Sequence, residues 1–180
     1  MRRSSLATLP CPVARTMDVM GDWWTPLVLQ EAFYGCRRFD EFQSTLGLAR
    51  QTLSDRLRRL VEEGLLEKEQ YQTEPVRHEY VLTQKGRDFF PVLMAIARWG
   101  DEYLGTESGP PIRYRHRCGH DTHAEIVCAH CAEPLTSSDT VMAMGPGYPA
   151  KLAQVPQIVA RFQRPQGGDR PRSGSSQHHD

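Results

Sequence analysis

Three cysteines lie among histidines between residues 116 and 131, as Cys118-Gly119-His120 and Cys128-Ala129-His130-Cys131. The second pair has the Cys-x-x-Cys spacing of a zinc knuckle, and Cys118-Gly119 is similar to the other half of a zinc ribbon. Zinc takes four thiolate or imidazole ligands in a tetrahedron, so Cys118, Cys128, Cys131 and one histidine would form a closed structural site. The short Cys-x-His spacing favours His120 as the fourth ligand. His116 is the alternative, and His123 and His130 are weaker ones. Metal binding would supply folding free energy that a short Cys- and His-rich segment lacks.

A second concentration is basic. Arg50, Arg56, Arg58 and Arg59 fall within ten residues that hold one acid, Asp55. Such a cluster neutralises phosphates even though lysine plus arginine and aspartate plus glutamate both total 22, for a net charge of zero. Gln51 and Thr52 carry donors and acceptors suited to base edges. Arg37, Arg38 and Arg77 are candidate phosphate contacts. Glu62, Glu63, Glu67 and Glu69 dilute the patch quickly and fit a plain solvated face. A third candidate is Cys11. A thiol at a helix N-terminus has its thiolate favoured by the helix dipole, although free cysteine is often only a small packed residue.

The elements that must position these groups follow from periodicity. Val13, Met17 and Met20 recur at helical spacing before Gly21, and Thr25-Pro26 opens a second helix with Leu27, Val28, Ala32 and Phe33 on one side. Phe39, Phe42 and Leu46 predict a third helix closing at Gly47. From Leu48 to Gly64, Leu53, Leu57, Leu60 and Val61 form a buried stripe. Gln51, Thr52, Asp55, Arg58 and Arg59 fall largely on the opposite side. Residues 65–71 and 78–82 predict a β-hairpin with a long tip over 72–77. Thr83 then caps one helix running to Leu104, with Phe89, Leu93, Ile96 and Ala97 on a face. The expected fold is mainly α with a small β-hairpin: a winged helix-turn-helix over 11–104 and a zinc-ribbon-like module over 112–145. Residues 163–180, almost without apolar side chains, read as a disordered tail.

Cys11-Pro12-Val13, Trp24, Gly35, Arg38-Phe39, Thr52-Leu53-Ser54-Asp55-Arg56-Leu57 and Glu63-Gly64-Leu65 occur in order. Pro75, Arg77, Glu79-Tyr80, Leu82-Thr83, Gly86 and Trp99-Gly100 follow. On these residues the chain resembles the HxlR-type family of bacterial transcriptional regulators, relatives of the MarR-type winged-helix proteins, over about residues 11–104. A similar Cys-Gly…Cys-x-x-Cys extension in some members continues the resemblance to about residue 136. The resemblance implies a homodimer, held by the first and last helices, on double-stranded DNA with two half-sites, with repression the common outcome. Cys11 stands where many members carry a cysteine, and some use it to sense electrophiles or oxidants.

The rival reading is a zinc-dependent protein-interaction module on a winged-helix scaffold that does not bind DNA. No Ser-His-Asp order, P-loop or dinucleotide fingerprint argues for an enzyme. With no apolar run of roughly 18 residues and no signal-peptide core, no membrane span is expected and a cytoplasmic location is.

Overall fold

The computed structural model describes residues 5–105 and 107–163. They fall into two compact units, divided between Ala124 and Glu125, within the stretch 112–145 that the sequence reads as one module.

The first unit begins with three short helices whose ends are set by local chemistry. Helix α1 (Pro12–Met20) starts with proline in its first turn, after Cys11 in extended backbone, and stops at Gly21 with φ +75°. Helix α2 (Trp24–Phe33) opens one residue before the expected Thr25. Its cap is Asp22, whose Oδ1 accepts the N–H groups of Trp24 at 2.9 Å and Thr25 at 3.1 Å. Helix α3 (Phe39–Leu46) is fixed by Glu41, which reaches back to the N–H groups of Arg37 and Arg38 at 2.8 and 2.9 Å. Those bonds, that from Arg38 foremost, hold the Glu41 carboxyl below its ordinary range.

Helix α4 (Arg50–Glu62) buries Leu53, Leu57 and Leu60 completely, as the stripe predicts. They meet Met20, Val28, Leu29, Phe42, Leu48, Leu65 and Leu66 in one core. Truncating a leucine there to alanine costs roughly 2–5 kcal/mol. Leu27 is not on the buried side of α2: it is 40% exposed.

Strands β1 (Leu66–Thr73) and β2 (Val76–Leu82) form an antiparallel hairpin with Leu66 opposite Leu82 and Lys68 opposite Tyr80. The tip is shorter than the sequence suggests. Thr73 pairs with Val76 and Gln72 with Arg77, which leaves only Glu74 and Pro75 to turn, and the extra residue appears as a bulge at Tyr71.

The single helix expected over 84–104 is broken. Helix α5 (Gln84–Arg87) ends at Asp88, and α6 (Phe90–Leu104) restarts with Pro91 in its first turn. Proline has no N–H to continue the ladder, so it suits a restart and not a helix interior. Thr83 does cap, but it caps α5, its Oγ1 accepting the Gly86 N–H at 3.1 Å. Gly86 itself lies against the chain: a Cβ there would stand 2.1 Å from the Leu65 carbonyl oxygen. Helix α6 packs on α2 through Phe90, whose ring lies 5.0 Å from that of Phe33, and Met94 is its one buried side chain. Two short strands, β3 (Tyr114–Arg115) and β4 (Asp121–Thr122), pair beyond it and complete the first unit.

In the second unit a tight turn over Cys128–Ala132 closes with Ala132 N–H donating to the Cys128 carbonyl at 2.8 Å. Helices α7 (Ala150–Ala153) and α8 (Pro156–Gln163) follow, elements that the sequence reading leaves unassigned. The Tyr148 and Phe162 rings pack edge to face 5.4 Å apart. Gln163 ends α8, and the rest of the tail expected over 163–180 lies outside the described residues.

Candidate nucleic-acid interface

The buried leucine stripe of α4 leaves the other side of that helix at the surface. Arg50, Gln51, Ser54 and Arg58 are exposed there, with Thr52 and Asp55 half-buried beside them. Arg50 stacks its guanidinium over the Phe39 ring at 4.8 Å, which brings the starts of α3 and α4 together. Phe39, Arg50, Gln51 and Ser54 line a shallow surface depression. Asp55 accepts from Gln51 at 3.2 Å and from Arg58 at 2.7 Å, and Glu62 stands 3.7 Å from Arg58. Exposed pairs of this kind contribute little to stability, so a phosphate can displace the carboxylate.

The hairpin adjoins the same surface. Arg38 stacks on the Tyr71 ring of β1 at 4.6 Å, and the Arg37 carbonyl accepts the Tyr80 N–H at 2.7 Å. The Arg37 side chain is exposed and only 3.6 Å from Glu79. Arg77 is exposed on β2, placed on a paired strand and not in a free tip. Lys68, over the Tyr80 ring at 5.6 Å, is a cation the sequence reading missed, as it missed Ser54. The signal for Ser54 was its place four residues after Arg50 and three after Gln51 on one helix face. Lys68 carried no such signal: strand alternation puts it on the same face as buried Leu66, yet it is exposed.

Two arginines expected on this surface are engaged elsewhere. Arg56 reaches back to Asp22 at 2.5 Å, with 27% of its side chain exposed against 62% for Arg58. Its Nε is buried without a hydrogen-bond partner. Arg59 turns to the end of α1, its Nε donating to the Val19 carbonyl at 2.8 Å and its Nη2 to that of Asp18. At 100° per residue, positions 56 and 59 lie together on the flank of the helix nearer to α1 and α2, a choice of flank that α4 alone does not specify.

Cys11 is exposed at the start of α1. Cys36 is half-buried, its Sγ 3.7 Å from Glu31 Oε2, and burial pushes its thiol above the ordinary value. The apolar residues of α1 that the periodicity singles out are only in part core: Met20 is buried, while Val13 and Met17 are exposed. On α6, Ile96, Trp99 and Tyr103 form a second exposed apolar edge.

The four expected zinc ligands are divided between the two units. Among the described residues, no three His, Cys, Asp or Glu side chains stand together as a metal would require. Cys118 and His120 belong to the first unit, and Cys128 and Cys131 to the second. Within its own turn Cys128 is prepared for an anionic sulfur. Backbone N–H groups of Cys131 and His130 point at its Sγ, the latter at 3.4 Å, and hold its thiol below the ordinary value. The donor set therefore fits zinc in part.

The profile of the HxlR-like helix-turn-helix family matches residues 19–108. An HTH-type transcriptional regulator of Mycobacterium tuberculosis strain H37Rv is 46% identical over 142 residues, covering 78% of this chain and 90% of that protein. Among solved structures, that of the transcription factor candidate PA1607 superposes with a TM-score of 0.71 at 38% identity. It covers 79% of this chain and 100% of its own. A second such structure, from Pseudomonas aeruginosa, gives a TM-score of 0.57 at 36% identity, covering 80% of this chain and 99% of that one.

Proposed function

This chain belongs to the HxlR-like helix-turn-helix family, and on that premise we propose that it is a homodimeric, sequence-specific DNA-binding repressor. Its relatives and its fold are those of transcription regulators, not enzymes. The observation that carries the reading is the two-sided α4. Three fully buried leucines fix the helix to the core, while Arg50, Gln51, Ser54 and Arg58 are exposed on the outer side. That side presents guanidinium and amide groups of the kind that contact base edges and phosphates in a major groove. Arg38, Lys68 and Arg77 extend the positive surface along the hairpin toward flanking backbone.

The exposed apolar edges of α1 and α6 support a two-fold dimer, since monomers rarely leave such side chains uncovered. Two α4 helices about 34 Å apart would then read two half-sites one DNA turn from each other. Exposed Cys11 at the head of α1 supports a response to oxidants or electrophiles. Structural zinc, held by Cys118, Cys128, Cys131 and either His120 or His116, is proposed on the donor chemistry and on the N–H groups aimed at Cys128 Sγ. No described helix is long and apolar enough to cross a membrane, and the proposed DNA partner supports a cytoplasmic location.

Selection of bound fragments from random duplex DNA, with and without diamide, tests the reading. Recovery of a two-fold-symmetric site, lost or weakened under oxidant, supports DNA recognition by a dimer and a thiol-based response. Failure to enrich any sequence overturns DNA recognition, and enrichment indifferent to diamide removes the Cys11 switch.

A further inference from the structure

Arg59 lies flat against the chain where α1 ends. Its Nε bonds the Val19 carbonyl and its Nη2 the Asp18 carbonyl, two of the oxygens that a helix C-terminus leaves without partners. The fit depends on Gly21. With φ +75° it adopts a backbone that side chains disfavour, and a Cβ there would stand 3.0 Å from Arg59 Nε. One helical turn earlier on α4, Arg56 meets Asp22 Oδ2 at 2.5 Å. The other oxygen of that carboxylate caps α2 through Trp24 and Thr25. Two guanidiniums of the groove-facing helix are thus used up at the junction of α1 and α2.

We infer that Arg56, Arg59 and Asp22 are positioning residues: they set the seat of the recognition helix against the end of α1 and touch no DNA. The inference rests on the DNA-binding reading above. The leucine stripe keeps α4 on the core but is non-directional, and slippery to rotation or tilt. Charge-assisted bonds to two carbonyls and one carboxylate have fixed directions and restrict both motions. The same bonds join α4 to the helix that carries Cys11 at its other end. A displacement of α1 therefore shifts the outer side of α4 or breaks the Arg59 bonds.

Charge makes the test sharp. Were Arg56 a phosphate contact, removing the nearby negative charge of Asp22 would tighten DNA binding. A positioning role predicts the reverse. Asp22→Asn keeps an oxygen to cap α2 and is the mildest variant. The full-length protein is assayed on a duplex recovered by selection, across salt concentrations and well below each thermal midpoint. Asp22→Asn, Arg56→Ala and Arg59→Ala are expected to weaken binding about tenfold with the wild-type salt slope, whereas Arg50→Ala loses about one unit of slope. Arg56→Lys, which retains the charge pair, restores most of the affinity. Tighter binding by Asp22→Asn, a slope reduced by about one in Arg56→Ala or Arg59→Ala, or wild-type affinity throughout overturns the inference. If the wild type binds no duplex, the DNA-binding reading falls instead. Amide exchange over residues 17–22 then decides: faster exchange in Arg59→Ala upholds the positioning role, and unchanged exchange overturns it.

Discussion

The hydroxyls of Tyr34 and Tyr114 lie 3.0 Å apart, tying the end of α2 to strand β3 across 80 positions of the chain. Burial, then the hydrogen bond and proximity to Tyr34, push the Tyr114 phenol up to about 12 from its ordinary 10.0. The unfolded chain ionises first. Stability of the first unit is therefore intact below about pH 10 and falls as the pH rises toward 12. Tyr34→Phe should bring the Tyr114 titration, followed by ultraviolet difference absorbance, to a lower pH. A titration unmoved by the substitution would show that the bond does not form.

Gly86→Ala should destabilise the winged-helix unit strongly. The added methyl collides with the Leu65 carbonyl oxygen, a backbone atom that cannot swing away. Overpacking of this kind costs about 1–3 kcal/mol, more when backbone must move. A thermal midpoint within a degree of wild type would contradict the close approach.

Gln51→Ala and Arg50→Ala should affect DNA binding differently. Gln51 is placed to read a base edge, so its loss should relax preference at one position by about 1–3 kcal/mol. Arg50 stacks over Phe39 at the head of α4 and should act on phosphate, weakening all sequences alike. Competition binding against single-base variants of the selected site separates the two outcomes. A uniform loss from Gln51→Ala would remove its reading role.

The exposed edge of α6 should carry the dimer. Replacing Ile96 and Trp99 together by glutamate puts charge on a surface that association would dry. Sedimentation should then report the monomer mass, with circular dichroism unchanged because neither side chain is in the core. A dimer that survives places the interface elsewhere.

Elemental analysis of the purified chain should find about one zinc per chain, because a structural site takes a single tetrahedral ion. Cys128→Ser should abolish it and raise protease sensitivity beyond residue 112, leaving 11–104 resistant. Metal-free protein, or full metal in the variant, would refute the site.

Much of this protein was written locally. Period-3.6 recurrence marks Leu53, Leu57 and Leu60 because a helix buries one stripe, and that burial is the same in the sequence as in the fold. Gly47 and the Glu41 back-bonds close and open α3 within one turn of chain. The restart of a helix at Pro91 and the pairing of Thr73 with Val76 are equally local, set by a proline that cannot continue a helix ladder and by β-branched residues suited to strands.

Only the tertiary structure decided what the arginines of α4 do. Arg56 and Arg58 are two residues apart in one basic run, yet one meets Asp22 of the α1–α2 junction and the other faces solvent. The same holds for the residues that the apolar pattern alone could not divide: Met20 is core, while Val13 and Met17 on the same helix are left uncovered. The reason is range. A helix's period records which of its sides is apolar, whereas which of those residues is covered, and which carboxylate meets which guanidinium, depends on segments that only chain closure brings together.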